Sequence, residues 1–459
     1  MNSPLLNFTS CLCAAGLTAM PVSALPAQRG GPNYDIRAEY WVDGPDSIQP
    51  GSDRGFPDVA VGPDGAVVHV WEAFTNNRMD IFFRRFDLSD DPIGDPAPPP
   101  QLVNTLVDDD QRNPRVAMRS DGAFFVVWQS DELDSEQGTN RNWVRGQFFD
   151  ANGTSQGSEQ LISEVSSGTS SGLNATVASL DDDSFIVTWQ SFKGLGSDSQ
   201  PCNPGSPAGC QSLSVQARKI NASGTAVGNQ FQINDEVDSS QSHPAVLPSS
   251  DGGFVVFWES FSGNDGDPSS GSIQGRGFTA AGTPTTGDFQ VNTTTDGSQD
   301  SPEASVDATG RIIVVYESPN AANSATSIRA RLFENDLTPV GDDFLVPSLA
   351  EAVDQLEPRV AGGFGYFLIA WSVFGGAGSD TDFAINGRVV EANNQFEGSQ
   401  FQINAYENNS QVDQAVGAHG ADAIVSWRSS PTHAFESDDG IIARGFAFDM
   451  LFSDRFESP

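Results

Sequence analysis

The sequence predicts an all-β protein that folds as a seven-bladed β-propeller with four-stranded blades. Three observations support this fold class. One unit is repeated seven times along the 459 residues, each unit contains four short strand-like segments, and no long stretch shows the periodicity of an amphipathic helix. Four-stranded units in series are typical of β-propellers, and seven is within their usual number of blades.

One aromatic residue marks the predicted second strand of every unit. The spacings between successive aromatic residues are 57, 61, 69, 58, 55 and 56 residues. Each lies at the same place in an apolar segment, which favours packing between blades over an exposed, sugar-binding ring. The row, which we expect to be buried, consists of Trp71, Trp128, Trp189, Trp258, Tyr316, Trp371 and Trp427.

The other three strands of the unit have their own markers. Asp-Gly pairs such as Asp64-Gly65 and Asp121-Gly122 predict a hairpin turn between the first and second strands. The fourth strand has the form Phe-Gln-Ile/Val-Asn, as at 231–234, 289–292 and 401–404. The first strand begins twelve to fourteen residues before the aromatic residue, at Pro57, Pro114, Ala175, Pro244, Pro302, Pro358 and Ala415.

The two ends of the chain complete each other. The seventh unit stops after its third strand, near Phe448, whereas the segment 40–43 (Tyr-Trp-Val-Asp) stands before the first unit in the place of a fourth strand. We therefore predict that this N-terminal segment completes the last blade and leaves no sheet edge open. The propeller domain would span 30–451, with 452–459 as a C-terminal tail. An open array of sheets, or a pair of sandwiches, is the alternative.

With these repeats, the chain resembles exported bacterial β-propeller repeat proteins over nearly all of its length after the leader. Sialidase-type propellers carry an Asp-box, with Asp-x-Gly shortly before Trp. Here Asp121 and Gly122 are adjacent and Trp128 lies six residues beyond the glycine. The match is loose, so the resemblance implies the propeller fold and no sialidase active site.

The N-terminus is typical of an export signal. Residues 1–24 are predicted to be a signal peptide, because 5–24 is apolar and small and Val22-Ser23-Ala24 fits a cleavage site. The usual basic region is missing, since the first basic residue is Arg29. A hydrophobic leader on a cytosolic protein is the alternative. We expect a protein of the periplasm, cell surface or exterior.

Two of the four cysteines lie in one loop of the propeller. Cys202 and Cys210 are eight residues apart in a Gly/Pro/Ser-rich segment after Trp189, within the longest repeat spacing. In an exported chain, two cysteines that close a short loop predict a disulfide. A catalytic cysteine would need a histidine nearby, and the local sequence has none.

The composition excludes several kinds of partner. With 61 acidic and 23 basic residues, the formal net charge is −38, which repels nucleic-acid phosphates. No apolar run after the leader is long enough for a transmembrane span. We expect a monomer. The four histidines, His69, His243, His419 and His433, leave little material for histidine metal sites.

Acidic turns are the candidate metal sites. Asn264, Asp265 and Asp267 flank Gly266, and Ca²⁺ prefers several carboxylate and carbonyl oxygens on a bent loop. We predict Ca²⁺ binding there, with a solvated acidic turn as the alternative. Calcium is the one cofactor that the sequence suggests.

An arginine recurs at one position of the third strand. A ring of guanidinium groups could bind a carboxylate or sulfate. A group present in nearly every blade, however, favours a structural role, such as stacking on the Trp of the blade or pairing with a carboxylate. The residues are Arg84, Arg218, Arg276, Arg331, Arg388 and Arg444, with Gln147 in the second unit.

The sequence favours a binding module for a carbohydrate or protein ligand, because the loops after each aromatic residue vary in length on a constant scaffold. Trp143, outside the aromatic row, is the candidate exposed aromatic, and Asp265 is a second candidate contact. The alternative is a glycoside hydrolase or polysaccharide lyase with its site at the mouth of the channel. That would require a pocket in which titratable residues break the repeat pattern. No catalytic motif nominates them.

Overall fold

The computed structural model describes residues 28–31, 34–44, 53–89, 93, 98–134, 139–164, 172–192, 213–237, 239–261, 267, 271–320, 325–347, 353–375, 382–391, 396–405, 410–430 and 439–448. Every regular element in these ranges is a β-strand, and the strands form seven antiparallel sheets. The predicted fold, a seven-bladed β-propeller, is confirmed. Within the described ranges, there is no helix with the length and hydropathy that a membrane crossing requires.

Two strands precede the first repeat, and three complete blades follow. The chain starts with β1 (Gln28–Gly31) and β2 (Tyr34–Trp41). Blade 1 contains β3 (Arg54–Val61), β4 (Val67–Thr75), β5 (Arg78–Phe86) and β6 (Gln101–Leu102). Blade 2 contains β7 (Asp110–Met118), β8 (Phe124–Asp134), β9 (Thr139–Phe149) and β10 (Ser155–Leu161). Blade 3 contains β11 (Gly172–Ser179), β12 (Phe185–Phe192), β13 (Leu213–Ile220) and β14 (Ala226–Gln232).

The second half of the chain repeats the same four-strand order. Blade 4 contains β15 (Gln241–Pro248), β16 (Phe254–Ser260), β17 (Ser272–Phe278) and β18 (Phe289–Gln290). Blade 5 contains β19 (Asp300–Val306), β20 (Ile312–Pro319), β21 (Thr326–Phe333) and β22 (Phe344–Leu345). Blade 6 contains β23 (Gln355–Gly362), β24 (Tyr366–Phe374), β25 (Phe383–Glu391) and β26 (Phe396–Gln402). Blade 7 contributes β27 (Gln411–His419), β28 (Asp422–Ser429) and β29 (Gly440–Phe448).

The N-terminal segment closes the ring as predicted. Strand β2 pairs antiparallel with β29, and Tyr40 lies opposite Ala443. The pairing strand begins at Tyr34, six residues before the predicted segment. In addition, β1 pairs with the outer side of β2, so the last sheet has five strands rather than four. The first strands of neighbouring blades contact one another around the ring, β27 with β3 included, and they surround the central channel.

The aromatic row is buried between the blades, which confirms its predicted core role. All seven side chains are at most 1% exposed. Each of the seven apolar clusters joins two neighbouring blades; the cluster around Trp189 of blade 3, for example, includes Phe125 and Val144 of blade 2. Trp128 also donates its indole N–H to Oε1 of Gln111 at 2.8 Å, so the polar atom of this buried ring is satisfied.

The recurring arginines join neighbouring blades through the backbone. Each Nη1 donates to a carbonyl oxygen just after the fourth strand of the preceding blade. The donor–acceptor distances are 3.1 Å for Arg84 to Val42, 2.9 Å for Arg218 to Ile162, 2.9 Å for Arg276 to Ile233, 2.7 Å for Arg331 to Val291, 2.6 Å for Arg388 to Val346 and 2.5 Å for Arg444 to Ile403. These arginines therefore have a structural role, as predicted, but the partner that they share is a backbone carbonyl of the neighbouring blade rather than the Trp of the blade or a carboxylate.

Candidate functional site

Every first strand carries a β-bulge where it faces the channel. The register between the first and second strands shifts so that two residues oppose the single aromatic residue, as Phe56 and Pro57 oppose Trp71. Because proline has no N–H to donate, it is tolerated where the ladder is interrupted. In blade 7 the bulge is formed by Asp413 and Gln414, so the first-strand marker there is Gln414 and the assignment of Ala415 was wrong by one residue.

The first residue of each bulge has a left-handed backbone. We call these seven residues the mouth ring: Phe56 (φ 47°), Asn113 (52°), Asn174 (50°), His243 (49°), Ser301 (53°), Glu357 (56°) and Asp413 (56°). Asn, Asp and His adopt this conformation more readily than most residues, whereas Phe and Glu rarely do. The backbone is thus the same in all seven blades, while the side chain changes from blade to blade.

The mouth ring lies toward the end of the blades from which the long connections leave. There the second strand leads to the third and the fourth strand leads to the next blade, as in the connection from Phe192 to Leu213. We call this end the loop face. At the other end, the turn face, first and second strands are joined by short turns, such as the one between Val61 and Val67.

A cavity of about 300 Å³ occupies the channel mouth. Six of the seven mouth-ring residues line it, all except Asp413. The second residue after the ring position adds further polar side chains in four blades, namely Arg115, Thr176, Glu303 and Arg359. Amide, imidazole, hydroxyl, carboxylate and guanidinium groups therefore converge with one exposed phenyl ring, that of Phe56 (43% exposed).

In three blades, the residue directly after the aromatic accepts a hydrogen bond from the backbone of a mouth-ring residue. A side-chain oxygen of Glu72 accepts the backbone N–H of Asn113 at 2.8 Å. Gln190 accepts the N–H of His243 at 2.9 Å, and Glu317 accepts that of Glu357 at 2.7 Å. In each case the acceptor belongs to the preceding blade. Burial is the main reason that the pKa of Glu72 rises to about 7.

His243 forms a pair with a buried carboxylate of its own blade. Its Nδ1 lies 2.8 Å from Oε2 of Glu259, the residue after Trp258. The same oxygen accepts the hydroxyl of Ser242, which lies opposite Glu259 in the strand pair. The hydrogen bond to Glu259 is the largest cause of the raised pKa of His243, and burial opposes it. The imidazole is 47% exposed and the carboxylate 5% exposed, so the base faces the cavity and its partner lies behind it.

A second titratable pair lies in the next blade. Asp300 and Glu317 are directly opposite each other in β19 and β20, and the two carboxyl groups are hydrogen-bonded. Burial, and then the negative charge of Asp300, raises the pKa of Glu317 to about 7. Burial also raises the pKa of Asp300, and Glu259 adds to that rise. Neither carboxyl group lines the cavity, and Glu317 contacts the mouth ring through the backbone N–H of Glu357.

The two arginines of the cavity differ in their surroundings. Nη1 of Arg359 lies 3.2 Å from Oε1 of Glu303 and also donates to the carbonyl of Pro358 at 3.0 Å. Nη1 of Arg115 donates to the carbonyl of Pro114 at 3.2 Å. The charge of Arg359 is therefore matched by a cavity carboxylate. Arg115 hydrogen-bonds to a neutral acceptor, and its charge opposes the rise that burial causes in the pKa of Asp58.

Two of the site residues named from the sequence, Trp143 and Asp267, are described, and neither lines the cavity. The expectation that Trp143 is exposed was wrong: it is 8% exposed, and Arg141 stacks on its ring at 5.9 Å. Its proposed binding role therefore loses its basis. Asp267 is buried and accepts a hydrogen bond from Asn292 at 3.0 Å.

The other named residues cannot be placed. Asn264, Asp265, Cys202 and Cys210 lie outside the described residues, as do the signal peptide and the tail. The calcium site and the disulfide therefore stay predictions. Within the described part of the chain, no group of three or more His, Cys, Asp or Glu side chains is placed to hold a metal ion.

The sequence did contain a signal for the mouth ring. The mouth-ring residue varies although the marker that follows it is proline in five of the seven blades, and the residue after the aromatic is Glu or Gln in five of the seven. His243 directly precedes Pro244 in the sequence, but its partner Glu259 is sixteen residues later, and the repeat pattern does not predict the bulge that joins them. Variation at a fixed repeat position was the usable sign.

Comparisons with known proteins support the fold alone. No protein-family model matches the chain, and no curated protein matches it. A protein of unknown function from Dyadobacter fermentans is 11% identical, with a TM-score of 0.50, over 91% of this chain and 100% of that one. Polysaccharide lyase Uly1 is 10% identical, with a TM-score of 0.50, over 86% of this chain and 90% of that one. The NanB sialidase from Streptococcus pneumoniae is 7% identical, with a TM-score of 0.47, over 84% of each chain.

Proposed function

We propose that the protein binds a saccharide at the loop-face mouth of its central channel. The observation that carries the proposal is the mouth ring, in which one backbone conformation presents six types of side chain in seven blades. Interior packing would favour the same residue in every blade, as the aromatic row and the arginines show. A constant backbone with varied polar side chains around a cavity is what selective ligand binding requires.

The chemistry of the cavity suits a sugar. A saccharide has hydroxyl groups around its edge and apolar C–H faces, so it needs hydrogen-bonding groups beside an aromatic surface. Asn113, Asn174 and Ser301 supply amide and hydroxyl groups, and Phe56 supplies the aromatic surface. Further exposed phenyl rings lie at the same end of the blades, three residues after the aromatic row, at Phe74, Phe261 and Phe374.

The sequence and the comparisons agree with this function without deciding it. An exported protein, as the leader predicts, meets extracellular polysaccharides. One of the proteins with a similar fold is named a polysaccharide lyase. A protein ligand is the alternative, and a cavity of about 300 Å³ lined by converging polar and charged groups favours a saccharide over a protein surface.

Binding to a panel of polysaccharides tests the proposal. Affinity electrophoresis would compare the full chain with neutral, amino and uronate polysaccharides, and calorimetry would give the affinity for oligosaccharides of those retained. Asn113→Gly and Asn174→Gly keep the left-handed backbone and remove one hydrogen-bonding group each. We expect each to weaken binding by about tenfold, the equivalent of one hydrogen bond.

The matched control is Asp183→Gly. Asp183 is also left-handed (φ 61°), but it lies in a turn of the turn face. This variant should bind as the wild type does. The proposal is wrong if the wild type binds no polysaccharide of the panel, or if the control weakens binding as much as the two ring variants.

A further inference from the structure

We propose that His243, held by Glu259, is the base of a β-elimination that cleaves uronate-containing polysaccharides in the mouth cavity, and that Arg115 binds the uronate carboxylate. This inference rests on the proposed saccharide binding and specifies its substrate and its chemistry. The three residues come from two different blades, and two of the three line one cavity.

The pairing with Glu259 leaves His243 able to accept a proton. A carboxylate only accepts hydrogen bonds, so the 2.8 Å contact requires the proton on Nδ1. In the neutral imidazole, Nε2 then carries the lone pair. Because the ring is half exposed in the cavity while Glu259 is buried, Nε2 is the nitrogen that a bound molecule meets. Pinning of one nitrogen by a buried carboxylate also fixes the ring orientation, as a general base needs.

Arg115 supplies the second requirement of this chemistry. The proton next to a carboxylate becomes removable only when the charge that develops on that carboxylate is stabilised. A guanidinium binds a carboxylate through two parallel hydrogen bonds. Arg359 is matched by Glu303 at 3.2 Å, whereas Arg115 donates to a backbone carbonyl. Among the described residues, Arg115 forms no ion pair as short as that of Arg359, although its charge acts on the buried carboxyl of Asp58, whose pKa is raised by burial. Arg115 is therefore the cavity arginine that we assign to the substrate carboxylate.

The reaction is balanced without a co-reactant. Nε2 of His243 removes the proton on C5 of the uronate, and the electrons of that C–H bond form the C4=C5 double bond. The bond between C4 and the glycosidic oxygen breaks, and the imidazolium returns its proton to that oxygen. The products are an unsaturated uronate and a new hydroxyl end, and no water is consumed.

The cavity offers less to hydrolysis. Glycoside hydrolysis uses two carboxyl groups on either side of the scissile bond. Of the two carboxylates that line the cavity, Glu303 lies 3.2 Å from Arg359, and Glu357 accepts the backbone N–H of Asp413. His243 is the cavity residue that has both a fixed hydrogen-bond partner, Glu259, and an exposed ring nitrogen that can accept a proton.

The experiment follows the ultraviolet absorbance of the conjugated double bond. The full chain is mixed with polygalacturonate, alginate or hyaluronan, with dextran as the neutral comparison, and binding is measured in parallel by affinity electrophoresis. We expect absorbance to grow with at least one uronate polymer and not with dextran, in a buffer of about 0.15 M salt, because salt screens the repulsion between an anionic polymer and the net charge of −38.

His243→Asn tests the base with little risk to folding, because asparagine already occupies the same left-handed position in blades 2 and 3. This variant should lose about 10²–10⁴-fold in rate, the usual contribution of a general base, and still bind the polymer. The control is His419→Asn on the turn face, which should keep the wild-type rate.

Arg115→Gln should weaken binding of the uronate polymer. Glu259→Gln should move the pH at which the rate rises to a lower value, since the hydrogen bond to Glu259 raises the pKa of His243.

The outcomes separate this inference from the proposed function. Binding of a uronate polymer without growth of absorbance, or new reducing ends without it, overturns the elimination and leaves saccharide binding in place. Binding of dextran alone does the same. A wild-type rate in His243→Asn also overturns it. No binding to any polymer of the broader panel contradicts the proposed function itself.

Discussion

The strand-three arginines and the mouth ring each occupy one position per blade, but the residue type is nearly constant at the first position and varied at the second. Both are repeat positions, yet arginine fills six of seven blades in one and no residue fills more than two in the other. The arginine partner is a backbone carbonyl, which is the same in every blade whatever the sequence. Six of the seven ring side chains face a cavity, whereas that of Asp413 pairs with Arg428. In this fold, the constant arginine position contacts the scaffold, and we propose that the varied mouth ring contacts a ligand.

The residues that hydrogen-bond to the backbone of the mouth ring are neither as constant as the arginines nor as varied as the ring itself. The residue after the aromatic is Glu72, Gln190 or Glu317 where its oxygen accepts a backbone N–H of the next blade. Glu or Gln serves this purpose equally, because each offers an oxygen acceptor. In blade 4, Glu259 binds the side chain of His243. At this one position, therefore, the carboxylate pairs with a side chain that can itself accept and donate a proton.

The sharpest test of the scaffold side of this comparison is Trp128→Ala. The ring is fully buried in the cluster between blades 1 and 2, and its loss also leaves Gln111 without its indole donor. We expect the free energy of unfolding to fall by about 3–5 kcal/mol, as for large-to-alanine changes in other cores. Urea unfolding followed by circular dichroism measures it. The folded fraction should bind saccharide as the wild type does.

A loss below about 1 kcal/mol in that experiment would mean that the aromatic row does not carry the packing between blades. Loss of saccharide binding from protein that is still folded would mean that the row and the mouth ring are not independent.

The scaffold was predictable from the sequence because its residues repeat. The spacing of the aromatic row gave the blade number, and the unfinished seventh unit gave the closure by β2. The site was not predictable in the same way. The left-handed backbone of Phe56 or Glu357 cannot be inferred from residue types that rarely adopt it. The pairing of His243 with Glu259 depends on a one-residue bulge, which changes the cross-strand register without changing the pattern of apolar residues.

Arg276→Gln tests the constant ring with the residue that blade 2 carries naturally. Arg276 donates to the carbonyl of Ile233 in the preceding blade, whereas Gln147 of blade 2 donates to the carbonyl of the adjacent Phe148. We expect the variant to lose about 1.5–3 kcal/mol of unfolding free energy, the range for a hydrogen bond to a charged group. Urea unfolding gives the stability and affinity electrophoresis the binding. A change in binding with unchanged stability would reverse the roles assigned to the two rings.

Glu317→Gln tests whether a buried carboxylate next to the mouth ring lowers the free energy of unfolding at high pH. Burial raises the pKa of Glu317 from 4.5 in the unfolded chain to about 7 in the folded protein, so folding favours the protonated carboxyl. Its contribution is complete below about pH 4.5 and is lost as the pH rises through about 7. Glutamine keeps an oxygen acceptor for the N–H of Glu357 and carries no charge. At pH 8 the variant should therefore be more stable than the wild type by about 3 kcal/mol, since each unit of the shift from 4.5 to about 7 corresponds to about 1.4 kcal/mol. At pH 4 both proteins should be equally stable, which serves as the internal control. Equal stability at both pH values would show that the carboxylate of Glu317 is not destabilised in the fold, and that the mouth ring is supported without cost.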